Sequence, residues 1–91
     1  MNLTAEHIIF KGAVQGVGFR YTAQKIADRH PVTGFVRNLS DGTVEMFIQG
    51  PVQDVKGCLA DIDKTFSGYI RDIQVTQTDY DPEYSDFTIK F

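Results

Sequence analysis

What this chain has little of narrows it first. It carries a single cysteine, Cys58, so no disulfide can close within it and no cysteine cage can hold a metal. A lone thiol fits a reducing compartment, and a cytoplasmic location is the expectation. No stretch approaches the roughly 18 apolar residues of a membrane span. The opening "MNLTAEH" has no basic start leading into an apolar run, so neither a secretory leader nor a membrane partner is expected. Basic residues are outnumbered, 9 Lys and Arg against 12 Asp and Glu, for a formal net charge of −3. Nucleic-acid binders usually show a clustered basic footprint, so no nucleic-acid partner is expected and any anion site has to be local. Repeats, low-complexity tracts and linkers are absent too. With 91 residues there is room for one core, so one domain over 1–91 is expected, a monomer by default.

Seven Phe and four Tyr are present, large residues suited to the core of a domain with so much surface for its volume. "HIIFKGAV" is β-branched and aromatic and predicts a first strand. From Phe19 the period changes: Phe19, Ala23, Ile26, Ala27 and His30 fall at helical spacing until Pro31 stops the run. "TGFVRNL" and "TVEMFIQG" predict two strands joined through "SDG", whose Asp-Gly is a hairpin signal. Gly50-Pro51 then opens a second helix, with Pro51 suited to its first position. Val52, Val55, Leu59, Ile62 and Phe66 form its buried stripe, and Gly57 within it costs some helix stability. "YIRDIQVTQT" predicts a fourth strand, and "DFTIKF" a short closing one.

The order is β-α-β-β-α-β with one strand added. It predicts an α+β, ferredoxin-like sandwich, an antiparallel sheet with both helices on one face. The first two strands are joined by a right-handed helical crossover, so they run the same way. Their C-terminal ends lie on one edge of the sheet. The loop after the first strand, Gly12 to Arg20, therefore meets Asn38, which closes the second.

That loop, "GAVQGVGFR", has three glycines and ends on an arginine. It is neither a Walker loop nor a dinucleotide fingerprint, since the further residues each requires are missing. Glycines between a strand and a helix often only make the turn. Yet an arginine in a first helical turn faces the positive end of the helix dipole, and is misplaced without an anion there. Glycines also let backbone N–H groups converge on an anion, and a guanidinium can fork onto two phosphate oxygens. A phosphate cradle accounts for both features. Asn38 has two open readings, supporting the Ser40-Asp41-Gly42 turn or holding a water beside the phosphate.

"GAVQGVGFR" followed by "GFVRNLSDGTVE" resembles the two signature segments of the acylphosphatase family. The first matches Gly-x-Val-Gln-Gly-Val-x-Phe-Arg at every fixed position. The segment "DRHPVTG" departs from the more usual Leu-Gly-Leu-Thr-Gly, away from both motifs. The resemblance implies hydrolysis of a small-molecule acyl phosphate to a carboxylate and inorganic phosphate, with no cofactor and no metal. It implies Arg20 as the phosphate-binding catalytic residue and Asn38 as the residue orienting the attacking water. The backbone of Gln15, Gly16, Val17, Gly18, Phe19 and Arg20 would supply the cradle. Inorganic phosphate and sulfate are expected to compete as tetrahedral anions of similar size.

The remaining reactive side chains have structural readings. Cys58 lies on the flank of the second helix's stripe and is expected to be partly buried and inert. His7 and His30 read as isolated and structural. The acidic "DYDPEYSD" lacks the glycine and spacing of a calcium loop and reads as a solvated hairpin. Two other functions share this element order. An RNA-recognition module needs exposed aromatics in a basic third strand, where this chain has Glu45. A non-catalytic ligand-binding domain is not excluded by fold.

Overall fold

A computed structural model of the chain describes residues 2–91. The elements in order are β1 (Leu3–Gly12), α1 (Phe19–Ala27), β2 (Thr33–Asn38), β3 (Val44–Pro51), α2 (Val52–Thr65), β4 (Ile70–Gln77) and β5 (Phe87–Ile89). They form an α+β, ferredoxin-like fold whose sheet has strand order β4-β1-β3-β2-β5. The alternation of β3 explains the layering. Val44, Met46 and Ile48 point to one face and join the core with Ile8 and Phe10 of β1 and Val36 of β2. Phe19, Ala23, Ile26 and Ala27 of α1 meet Val55, Cys58 and Ile62 of α2 in the same cluster. Both helices therefore lie on that face. Phe10, Phe19, Ile8 and Met46 are among the largest fully buried side chains, each contributing about 1.5–3 kcal/mol by leaving water.

Two helix boundaries differ from expectation. α1 ends at Ala27 and His30 sits in the turn beyond it, its N–H bonded to the Ala27 carbonyl. Pro31 biases the residue before it away from the helical region. Pro51 is the residue before α2 rather than its first, with extended backbone at φ −56° and ψ 137°, because β3 runs directly into it.

Neither histidine is isolated. His30 Nδ1 lies 3.4 Å from Asp54 Oδ1 and Nε2 lies 3.6 Å from Asp61 Oδ2, joining the end of α1 to α2. A Cβ on Gly57 would come within 3.3 Å of the His30 ring, so the helix-weakening glycine makes room for it. On the opposite face of the sheet, His7 Nε2 lies 2.7 Å from Glu45 Oε2, and Arg37 also binds that carboxylate. Burial pushes the Glu45 carboxyl up, but the hydrogen bonds from His7 and Arg37 outweigh it and hold it below its ordinary range.

The sheet is mixed, not antiparallel throughout. β5 pairs parallel to β2, Gly34 with Phe87 and Val36 with Ile89, whereas every other pairing is antiparallel. β4 and β5 lie at opposite edges, so the segment between them crosses the molecule instead of turning back as a hairpin. The acidic run is this crossing. The fully buried Gln49 of β3 donates from Nε2 to the Asp81 carbonyl at 2.6 Å and accepts the Asp81 N–H at 2.7 Å. Tyr84 then lies against Phe47 and Phe35, with ring centroids 5.3 and 5.9 Å away, on the sheet face that the helices leave open. A stretch that looks solvated by composition is pinned by one buried amide.

Candidate active site

The loop from β1 into α1 is anchored by Val14, which is fully buried. Gly16 and Gly18 then take φ of +78° and +76°, left-handed backbone in which a Cβ would be strained. Gly18 is the N-cap of α1. It offers no side chain to the first-turn N–H groups, and that turn contains no acidic residue. The unpaired donors and the positive end of the helix dipole thus lie at the loop, and the first-turn side chain beside them is Arg20. This guanidinium belongs to none of the ion pairs among the described residues. The Phe91 ring lies against it, 5.0 Å from Cζ to the ring centroid.

A cleft of about 280 Å³ opens at this point. Val14, Gly16, Gly18, Phe19, Arg20, Tyr21 and Asn38 line it, so the structure brings Arg20 and Asn38 to one depression. Phe19 borders it from the start of α1. Its ring lies in the core, with centroids 4.9 Å from Phe10 and 4.5 Å from Phe66. Gln15 and Val17 of the expected cradle do not border the cleft. Among the described residues no group of three or more His, Cys, Asp or Glu side chains is placed to hold a metal ion.

Asn38 ends β2, paired with Val44. The turn that follows does not use its side chain. Asp41 Oδ1 accepts from the Thr43 N–H at 3.0 Å and from the Thr43 hydroxyl at 2.6 Å, which holds the Asp41 carboxyl below its ordinary value. The Gly42 N–H bonds to the Leu39 carbonyl at 3.2 Å, and the Thr43 carbonyl accepts from the Leu39 N–H at 2.9 Å. Among the described residues the Asn38 amide makes no side-chain hydrogen bond, and it is exposed at the cleft. The turn-supporting reading of Asn38 therefore loses its observation.

Two residues were invisible to sequence reasoning. The first is the side chain of Gln15, whose Nε2 donates to the Leu39 and Thr43 carbonyls, each at 2.8 Å. One amide thus ties the glycine loop to the turn directly after Asn38. The motif places a glutamine there, but no local rule connects it with carbonyls so distant in sequence. The second is Tyr21, whose neighbours in sequence mark it only as an exposed helix position. Cys58 is fully buried rather than partly so, and burial, with a smaller contribution from Asp61, pushes its thiol up to about 12. It stays neutral and is no nucleophile.

Known proteins share this fold. The acylphosphatase family model matches residues 6–89. An acylphosphatase of Bacillus licheniformis is 43% identical over 86 residues, covering 92% of this chain and 94% of that one. One from Methanospirillum hungatei is 42% identical over 85 residues, covering 91% and 92%. The crystal structure of acylphosphatase from Bacillus subtilis superposes with a TM-score of 0.86 at 32% identity, covering 99% of this chain and all of that one. The match runs through the glycine loop, both central strands and β5 together, and this chain belongs to the acylphosphatase family, hydrolases that act on acid anhydrides.

Proposed function

We propose that the chain hydrolyses acyl phosphates by direct attack of water on phosphorus, with no metal and no covalent intermediate. The observation that carries this reading is the meeting of Arg20, Asn38 and the uncapped start of α1 in one cleft. The phosphoryl oxygens accept from N–H groups of the cleft-lining part of the loop, Gly16 and Gly18 to Arg20, and the guanidinium forks onto two of them. The Asn38 amide holds the water by hydrogen bonding, since an amide is too weak a base to ionise it. Water oxygen bonds to phosphorus while the bond from phosphorus to the acyl oxygen breaks. The electron pair departs on the carboxylate, and the water's proton goes to the phosphate product or to solvent.

The leaving group explains the sparse machinery. A carboxylate whose conjugate acid has a pKa of about 4 departs unprotonated, so no general acid is needed. Positioning and charge stabilisation of a loose phosphoryl transition state remain, which is what backbone donors and an arginine supply. The chain works as one domain over 1–91 and as a monomer, in the cytoplasm, where its buried thiol needs no protection.

The test is phosphate release from acetyl phosphate in the presence of a chelator. Undiminished turnover is expected, with inorganic phosphate and sulfate as competitive inhibitors that also raise the melting temperature by binding only the folded state. Activity lost on chelation and restored by a divalent cation would overturn the metal-free mechanism.

A further inference from the structure

Scattered apolar residues on a surface are ordinary, and a cluster beside a site is not. Seven large apolar residues are exposed among the described ones, and Val17, Tyr21 and Phe91 are three of them. Tyr21 lines the cleft and is 58% exposed. It sits about 200° round the helix from the buried Phe19, so core packing does not call for its ring. Val17 lies between the two cleft-lining glycines. Phe91 is 92% exposed, with its ring against the Arg20 guanidinium.

The parallel pairing of β5 delivers Phe91 there. Val36 faces Ile89 and its carbonyl accepts the Lys90 N–H at 2.9 Å, so the chain leaves the sheet running alongside β2 toward Asn38. An antiparallel β5 would have carried it to the far edge.

We propose that Tyr21 and Phe91 form the acyl-side subsite and select acyl phosphates with an aromatic acyl group. This rests on the hydrolytic reading of the cleft. With the phosphate held by backbone donors and Arg20, the acyl group projects outward over the rim. Tyr21 borders the cleft and the Phe91 ring lies against its Arg20, exposed aromatic surface suited to a planar apolar group. A methyl group as small as that of acetyl phosphate is too short to cover both rings. The ring against Arg20 also limits the side of the guanidinium open to the phosphate.

The experiment compares kcat/KM for benzoyl phosphate and acetyl phosphate in the parent, Tyr21→Ser, Tyr21→Phe and Phe91→Ala. Any difference in intrinsic reactivity of the two anhydrides cancels between parent and variant. The benzoyl-to-acetyl ratio is expected to fall about 3- to 10-fold in Tyr21→Ser and in Phe91→Ala, and to survive in Tyr21→Phe. Loss of Arg20 positioning alone would slow both substrates equally and leave the ratio in place. A ratio unchanged in both truncations, with both substrates turned over, refutes the subsite and leaves the hydrolytic reading standing. A parent inert on both substrates overturns that reading and this inference with it.

Discussion

Gln15→Glu changes one terminal atom of a side chain and should weaken both the fold and the site. The Gln15 Nε2 donates two hydrogen bonds, to Leu39 and Thr43 carbonyl oxygens at 2.8 Å each. A carboxylate donates none, and it brings a negative charge against two carbonyl oxygens. Two neutral hydrogen bonds at roughly 0.5–1.5 kcal/mol apiece give a loss of about 1–3 kcal/mol, and repulsion adds to it. In a domain of this size about 1 kcal/mol shifts the melting temperature by roughly 4–8 °C, so the variant should melt well below the parent at neutral pH. The deficit should shrink in acid. A protonated carboxyl regains one donor, so folding favours the protonated form and raises the folded-state pKa of the introduced carboxyl above its unfolded value. Stability is then recovered as pH falls through that raised value and lost as it rises. Since the amide ties the glycine loop to the turn after Asn38, kcat should fall more than KM rises. Thermal melts from pH 4 to 8, paired with acetyl phosphate kinetics, provide the measurement. A variant as stable as the parent at pH 7 would refute the tether.

Arg20→Lys keeps the charge but loses the fork, and kcat/KM on acetyl phosphate should drop about 100-fold or more with the circular dichroism spectrum intact. Near-parental turnover would remove Arg20 from the mechanism. Asn38→Ala should lower kcat while leaving the inhibition constant for inorganic phosphate close to parental, because its proposed partner is the water. Weakened inhibition in step with activity would make it a phosphate ligand instead. Glu45, held below its ordinary range by His7 and Arg37, contributes stability that is present above its unfolded pKa and lost as pH falls through the lower folded one. Urea melts should therefore show the parent losing its advantage over Glu45→Gln below about pH 4.5, and parallel pH profiles would contradict this.

Much of the fold was legible in the residues themselves because its causes are local. Alternation in "TVEMFIQG" follows from the two-residue period of a strand, and Phe19, Ala23 and Ile26 from the period of a helix. The meeting of Gly12–Arg20 with Asn38 was legible as well. The handedness of a crossover constrains which strand ends share an edge before any side chain is placed. The structure alone decided contacts that depend on which distant segments a fold brings together. The direction of β5 is one, set by a segment that crosses an open sheet face held by Gln49 and Tyr84. The Gln15 tether is another, since its amide meets carbonyls 24 and 28 positions along the chain. The full burial of Cys58 and the two carboxylates around His30 are of the same kind. Composition and period describe a residue's neighbours in sequence. The partner of a buried amide or an exposed ring is chosen by tertiary packing, where residues far apart in the chain compete for the same few ångströms.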